Sequence, residues 1–235
     1  MTTVNTSAAS VPLTERKYVL PLVLITSLFF LWALGVNLND VLIPHLKKAF
    51  RLTDLQSSLI QTAFFGGYFL AALPAGRLME RIGYKKGILT GLALCATGAL
   101  LFIPAATILV YWFFLLALFV MACGQSFLEV AANPYVTVLG PAGSAERRLN
   151  LAQSFNAVGA VVTPVIGAAF ILTNTASQSA QMDEASRVRI PYLIIASIFL
   201  GVAAMIYFTK LPEVQDDARE PQRLSEVWKL SLIHI

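Results

Sequence analysis

The chain has 235 residues, 57% of them hydrophobic and 13% charged, with a mean hydropathy of +0.71. Soluble domains carry about a quarter charged residues, so this composition excludes that class and marks an integral membrane protein. The net charge of +4 does not point to nucleic acid, because the charges sit in the connections between apolar runs, with no basic patch interleaved with aromatics.

A bilayer core of about 30 Å needs roughly 20 mostly apolar residues per helical crossing. Six such runs follow one another, at residues 18–39, 58–79, 87–106, 108–134, 149–173 and 190–209. The polar residues before the first run end in "TERKY". That run is longer and more aromatic than a signal-peptide core and has no small-residue cleavage site, so it reads as a retained helix. Residues 1–17 form a terminus, 18–210 the transmembrane bundle and 211–235 a linker. Six crossings leave both ends on one side. Of the 17 Lys and Arg residues, 12 lie in the termini and the second and fourth loops, against 5 in the first and fifth. The positive-inside rule therefore expects both termini in the cytoplasm, with the chain in the cytoplasmic (inner) membrane.

The first loop carries "HLKKAFRL" and is expected to hold His45 on the outer side. Little more than "IPAATI" separates the third and fourth runs, which predicts an antiparallel pair with a tight outer turn there. The stretch "TNTASQSAQMDEASRVR" reads as a solvated outer loop without catalytic features. Beyond Lys210, "LPEVQDDAREPQRLSEVWKL" is charged and proline-marked, a linker that expects something to follow it. The final "SLIHI" resembles foreign sequence appended to a truncated frame. Cys95 and Cys123 both lie within apolar runs, where a small buried hydrophobe is the expected role.

The two groups of three helices share internal matches. An acid precedes a proline by four residues in helix one (Asp40, Pro44) and by five in helix four (Glu129, Pro134). Gln61 stands six before Gly67 in helix two, and Gln153 six before Gly159 in helix five. Three crossings are an odd number, so the second copy is expected upside down relative to the first.

Of the thirteen acids, only Asp40, at the very end of the first predicted span, and Glu129, inside the fourth, belong to the spans. An ionised carboxylate at a bilayer centre costs on the order of 2.5 to 3.5 kcal/mol on insertion scales, which demands a counterpart or a use. Gln125, Glu129 and Asn133, at i, i+4 and i+8, form one polar face that lines either a cavity or a polar helix contact. Pro134 removes a backbone donor just beyond it. Asn37 and Asn39 stand beside Asp40, for which the plain alternative is a carboxylate at the outer interface.

Asn150, Gln153 and Asn156 fall within an arc of roughly 120° on helix five, and helix two presents Gln61, Phe65 and Tyr68 on one face. Carboxylates and amides with aromatic neighbours suit a sugar, whose hydroxyls need paired donors and acceptors while its C–H face packs on a ring. The alternative for any one amide is an interhelical hydrogen bond. Desolvation favours the neutral form of carboxyl groups, so an intramembrane acid can carry a proton. Glu129 is the expected proton carrier.

"GRLMERIGYKKG" resembles the cytoplasmic signature of the major facilitator superfamily in Gly76, Glu80, Arg81, Gly83, Lys85 and Lys86. It departs in having Glu80 for the favoured Asp and Tyr84 for a basic residue. The resemblance implies glycines that permit close packing and tight turning, and charges that hold a gate through reorganised ion pairs. "FFLWALGVNLNDVLIPHL", "LEVAANPYVTVLGP" and "RLNLAQSFNAVGA" together resemble the fucose/proton symporter family. That resemblance implies a central cavity lined by Asp40 and Glu129 for substrate binding and proton coupling, with Asn156 and Asn37 nearby. Related glucose and galactose carriers tend to have glutamine in place of the helix-four acid.

The expected fold is an all-α membrane protein, six transmembrane helices as two inverted three-helix repeats, the N-terminal half of a major facilitator fold. A missing C-terminal six-helix half, a small-molecule sugar, a proton and the lipid bilayer are the implied partners. No metal or organic cofactor is implied. The candidate substrate-binding set is Asn37, Asp40, Gln61, Tyr68, Gln125, Glu129, Asn133, Gln153 and Asn156. A membrane enzyme is a poor rival, because the two histidines, His45 and His234, lie in a loop and in the tail, leaving no nucleophile an obvious base. A sugar receptor or scaffold of the same fold and a sodium-coupled carrier are the other readings.

Overall fold

A computed structural model describes residues 11–49, 52–108, 110–167 and 189–212. Among them are six α-helices: α1 (Val19–Ala49), α2 (Asp54–Ile82), α3 (Tyr84–Ile108), α4 (Tyr111–Thr137), α5 (Ala145–Gly167) and α6 (Arg189–Phe208). Single 3-10 turns, Arg16–Tyr18 and Ala142–Ser144, precede α1 and α5. The first five helical segments are long and apolar enough to cross a membrane, and α6 adds a shorter apolar helix, Tyr192–Phe208. Helices suit this solvent because each satisfies its backbone donors and acceptors internally.

Several boundaries differ from the hydropathy reading. α1 continues past Pro44 to Ala49, which places His45 on a helix rather than in an outer loop. Hydropathy stops at the polar cluster around Asp40, whereas backbone hydrogen bonding does not. "IPAATI" likewise lies inside α3, with Pro104 within the helix, and α4 starts at Tyr111 with Val110 as its N-cap. α2 begins four residues before its apolar run because Thr53 and Gln56 form a capping box. The Thr53 N–H donates to Gln56 Oε1 at 3.0 Å, and the Gln56 N–H to Thr53 Oγ1 at 3.2 Å. The predicted outer loop before Arg189, the linker beyond Pro212 and the terminal "SLIHI" lie outside the described residues.

α4 is the central helix, packed along α2 and α3, while α1 packs along α5 and α6 along α3. Between α3 and α4 small residues let the backbones approach. A Cβ placed on Gly98 would stand 2.5 Å from the Met121 nitrogen, and one on Gly124 2.5 Å from that of Cys95. Helix association in lipid rests on such van der Waals contact. Cys95 is fully buried in this seam and Cys123 half-buried, both as free thiols.

The inverted repeat is visible in two crossings. A Cβ on Gly67 of α2 would lie 2.8 Å from the Phe119 carbonyl oxygen and 3.2 Å from the Ala122 Cβ of α4. A Cβ on Gly159 of α5 would lie 2.8 Å from the Phe30 carbonyl oxygen and 2.8 Å from the Ala33 Cβ of α1. Phe30 and Phe119, Ala33 and Ala122, and Asp40 and Glu129 are each 89 residues apart. Gly67 and Gly159, like Gln61 and Gln153, are 92 apart. α1 is thus the counterpart of α4 and α2 of α5, with the two acids at matching positions.

A fully buried guanidinium closes the α4–α5 turn. Arg148 Nε donates to Val136 O at 3.0 Å, Nη1 to Leu13 O, Pro141 O and Ser144 Oγ at 2.9, 3.0 and 2.7 Å, and Nη2 to Thr137 O. Its positive charge sits where α4 leaves its last carbonyls unpaired, the negative end of the helix dipole. Thr14 Oγ1 donates to Leu139 O at 2.6 Å and Arg147 Nη1 to Val11 O at 3.0 Å, so the segment leading into α1 is laced onto the same turn.

Candidate functional site

α1 and α4 carry the two intramembrane acids, and the helices packed on them supply amides. The side-chain nitrogen of Gln61 on α2 donates to Asp40 Oδ1 at 2.9 Å. Asp40 is otherwise exposed, and Gln61 Oε1 is buried without a partner among the described residues. Asn37 turns back on its own helix, its Nδ2 donating to Ala33 O at 2.8 Å.

Glu129, half-buried, faces a small cleft lined by Leu28, Phe29, Trp32, Leu128 and Ala132. The Tyr68 hydroxyl of α2 interacts with both the Glu129 carboxyl and the Trp32 indole. Neither Tyr68 Oη nor Trp32 Nε1 completes a hydrogen bond of ordinary geometry among the described residues. Ser126 Oγ donates to the Tyr68 carbonyl at 2.9 Å, which fixes α2 beside this turn of α4. One carboxyl against an aromatic wall with two spare donors is chemically suited to a polyhydroxylated ligand, which offers both hydroxyls and a C–H face.

One turn further along α4, Asn133 Nδ2 donates to the Glu129 carbonyl at 3.1 Å, and its Oδ1 accepts from Gln153 Nε2 of α5 at 3.2 Å. Asn156 Nδ2 donates to Phe29 O at 3.1 Å, tying α5 to α1. Asn150 and Gln153 are exposed on the same face.

Gln125 separates from this group. It is fully buried, neither atom of its amide has a partner among the described residues, and Gly35 of α1 packs directly over it, a Cβ there falling 2.1 Å from Nε2. The i, i+4, i+8 face is therefore a helix contact at the Gln125 end and open at Glu129 and Asn133. Trp32 and Ser126 were not among the sequence candidates. The search for acids and carboxamides passes over an indole donor and a small hydroxyl, although Trp32 lies on the same helix as Asp40.

The "GRLMERIGYKKG" segment lies at the α2–α3 turn, away from the acids. Gly83 ends α2 with φ of 82°, a conformation that glycine adopts without strain, and its N–H caps Met79 O at 2.9 Å. Lys85 Nζ donates to the Tyr207 and Thr209 carbonyls at 2.9 and 2.8 Å, capping α6. Glu80, Arg81 and Lys86 are exposed and form no ion pair among the described residues. Close packing is not what Gly76 serves here, since a Cβ on it meets nothing within 4 Å.

Comparison with known proteins follows the same lines. The chain is 49% identical over 217 residues to the L-fucose-proton symporter of Escherichia coli (strain K12), a match covering 86% of this chain and 50% of that protein. It is 50% identical over 203 residues to the glucose/galactose transporter of Brucella abortus biovar 1 (strain 9-941), covering 86% and 49%. It therefore spans about half the length of these curated relatives. The crystal structure of the transporter FucP in the outward conformation superposes with a TM-score of 0.77 at 45% identity, over 93% of this chain and 57% of that one. With a family model matching residues 25–233, the chain belongs to the Major Facilitator Superfamily.

Proposed function

We propose that this chain is the N-terminal six-helix half of a proton-coupled monosaccharide symporter that works by alternating access. The observation that carries the reading is the placement of Asp40 and Glu129 at matching positions of the two repeats, each beside donor side chains from a neighbouring helix. Glu129 carries the proton. Asp40 takes part in coupling and in binding, and Asn37, Gln61, Tyr68, Gln153 and Asn156, with Trp32, meet the sugar. Its similarity to an L-fucose-proton symporter and to a glucose/galactose transporter supports an L-fucose-like sugar or another hexose as substrate. An acid rather than an amide at position 129 favours proton coupling.

A second six-helix half completes the cavity. The least buried helices, α2 and α5, supply its contact surface, with Phe65, Phe69 and Leu73 on one and Phe155, Val158 and Val161 on the other, all exposed. The positive-inside count supports both ends of the chain in the cytoplasm, in the inner membrane, and residues 211–235 as the link to that half.

The test is uptake by cells expressing the complete gene from which this sequence is read. Sugar-induced alkalinisation of the medium is the expected result. Saturable sugar binding without proton movement would make the protein a receptor, and uptake that follows sodium and ignores protonophores would make it a sodium carrier.

A further inference from the structure

The two repeats treat their acids differently, and the sequence contains the reason. In the first copy, Gln61 bonds Asp40 directly. In the second, its counterpart Gln153 bonds not Glu129 but Asn133, four residues further on. The residue four beyond Asp40 is Pro44, which has no hydrogen-bonding side chain. Asn133 is thus a competing acceptor that the first copy lacks. Residues at i and i+4 are neighbours on a helix surface, about 5–6 Å apart between Cβ atoms, so a glutamine serving one needs only a side-chain rotation to reach the other. Gln153 is exposed, and among the described residues nothing encloses it.

Charge decides which acceptor wins. Hydrogen bonds to an ionised carboxylate are roughly twice as strong as those between neutral groups, so an ionised Glu129 outcompetes a neutral Asn133, while a protonated one does not. Resting on the reading of Glu129 as proton carrier, we propose that Gln153 is a positioning residue that changes partner with the Glu129 proton. It holds Asn133 Oδ1 while Glu129 is protonated and the Glu129 carboxylate once the proton has left.

Few other groups compete for this role. Tyr68 of α2 is in contact with Glu129, and α3 presents the buried thiol of Cys95 behind it. α1 presents Trp32, with Asp40 about two turns along. The charged residues of α5, Glu146, Arg147 and Arg148, all lie in its first turn, and on α4 the nearest other titratable groups are Cys123 and Tyr135, each six residues from Glu129. Of the carboxylates among these, Glu146 lies seven residues before Gln153 on α5, about two turns away, and Asp40 is bonded by Gln61. The exchange changes the α4–α5 connection by one turn, so loss of a proton alters how α5 is held.

Solid-state NMR on the full chain in lipid nanodiscs, with glutamine side-chain nitrogens and glutamate Cδ carbons labelled, reads the contact directly. The Gln153 Nε2 to Glu129 Cδ coupling is expected in samples whose Glu129 Cδ shift marks an ionised carboxylate and absent in those where it marks a protonated one. In Asn133→Ala, which removes the competitor, it is expected in both. Absence of the coupling from every sample of the unsubstituted chain overturns the proposal whether or not any variant folds, as does a coupling indifferent to that shift. The transport reading stands or falls separately, on uptake by the complete gene product.

Discussion

The amide of Gln61 holds the carboxylate of Asp40 across the α1–α2 contact at 2.9 Å, and it is the one direct amide-to-carboxylate bond between helices among the described residues. Gln61→Leu removes the donor while keeping the bulk. A hydrogen bond to a charged group contributes about 1.5–3 kcal/mol before solvent exposure discounts it, and Asp40 is exposed. The expected outcome is roughly a tenfold rise in the KM of uptake with little change in thermal stability, measured in the complete gene product.

Glu129→Gln retains the shape of the side chain and its capacity for hydrogen bonding but cannot release a proton. Sugar binding, and exchange of labelled for unlabelled sugar across the membrane, are expected to persist while accumulation against a gradient is lost. Counterflow beside protonophore-sensitive uptake separates the two. Loss of both would assign Glu129 to binding instead.

The two glycine crossings make a paired prediction. Gly67→Val and Gly159→Val each push a side chain into a carbonyl oxygen 2.8 Å from the new Cβ. Overpacking of this kind costs about 1–3 kcal/mol, and the two variants should be destabilised to a similar degree. Gly66→Ala and Gly76→Ala, which meet nothing within 4 Å, are the controls. Thermal unfolding of the chain in detergent provides the comparison.

Arg148→Met leaves the carbonyls of Leu13, Val136, Thr137 and Pro141 without the donor that pairs them. Unsatisfied buried polar groups cost about 1–3 kcal/mol each, so this variant should fall among the least stable. Arg148→Lys, with three donors on a point instead of a planar fork, recovers only part of the loss. Protease cleavage within residues 11–15, expected to be faster in the variant than in the unsubstituted chain, reports the release of that segment.

Lys85→Ala removes the cap on α6. Cations at a helix C-terminus contribute about 0.3–1 kcal/mol, so global stability should barely move, while amide exchange over 205–211 should quicken. A uniform rise across α3 and α6 would instead show that Lys85 holds the pair together.

Much of this architecture was legible because lipid imposes a simple grammar: apolar runs become helices, and acids within them stand out. The equivalence of Asp40 and Glu129 was readable from Gln61 and Gly67 against Gln153 and Gly159, since close crossings leave little choice of residue. The helix ends were not, because α1 crosses its own polar cluster and α3 carries Pro104 inside it; hydropathy measures solvent preference and not backbone hydrogen bonding. For Gln125 the sequence leaves open a cavity or a helix contact, and only three-dimensional packing shows Gly35 lying over it. Trp32 entered the site through an indole donor that no charge or amide pattern marks.

The lacing of Leu13 and Thr14 onto the α4–α5 turn also bears on how the protein is made. The partners are 135 residues apart for Leu13 and Arg148, and 125 for Thr14 and Leu139. At about 5–20 residues per second, the ribosome delivers Arg148 on the order of ten seconds after Leu13. During that interval the segment leading into α1 lacks the partners that Leu139 and Arg148 later provide. That segment and the α4–α5 turn are therefore tied together only once synthesis has reached the fifth helix.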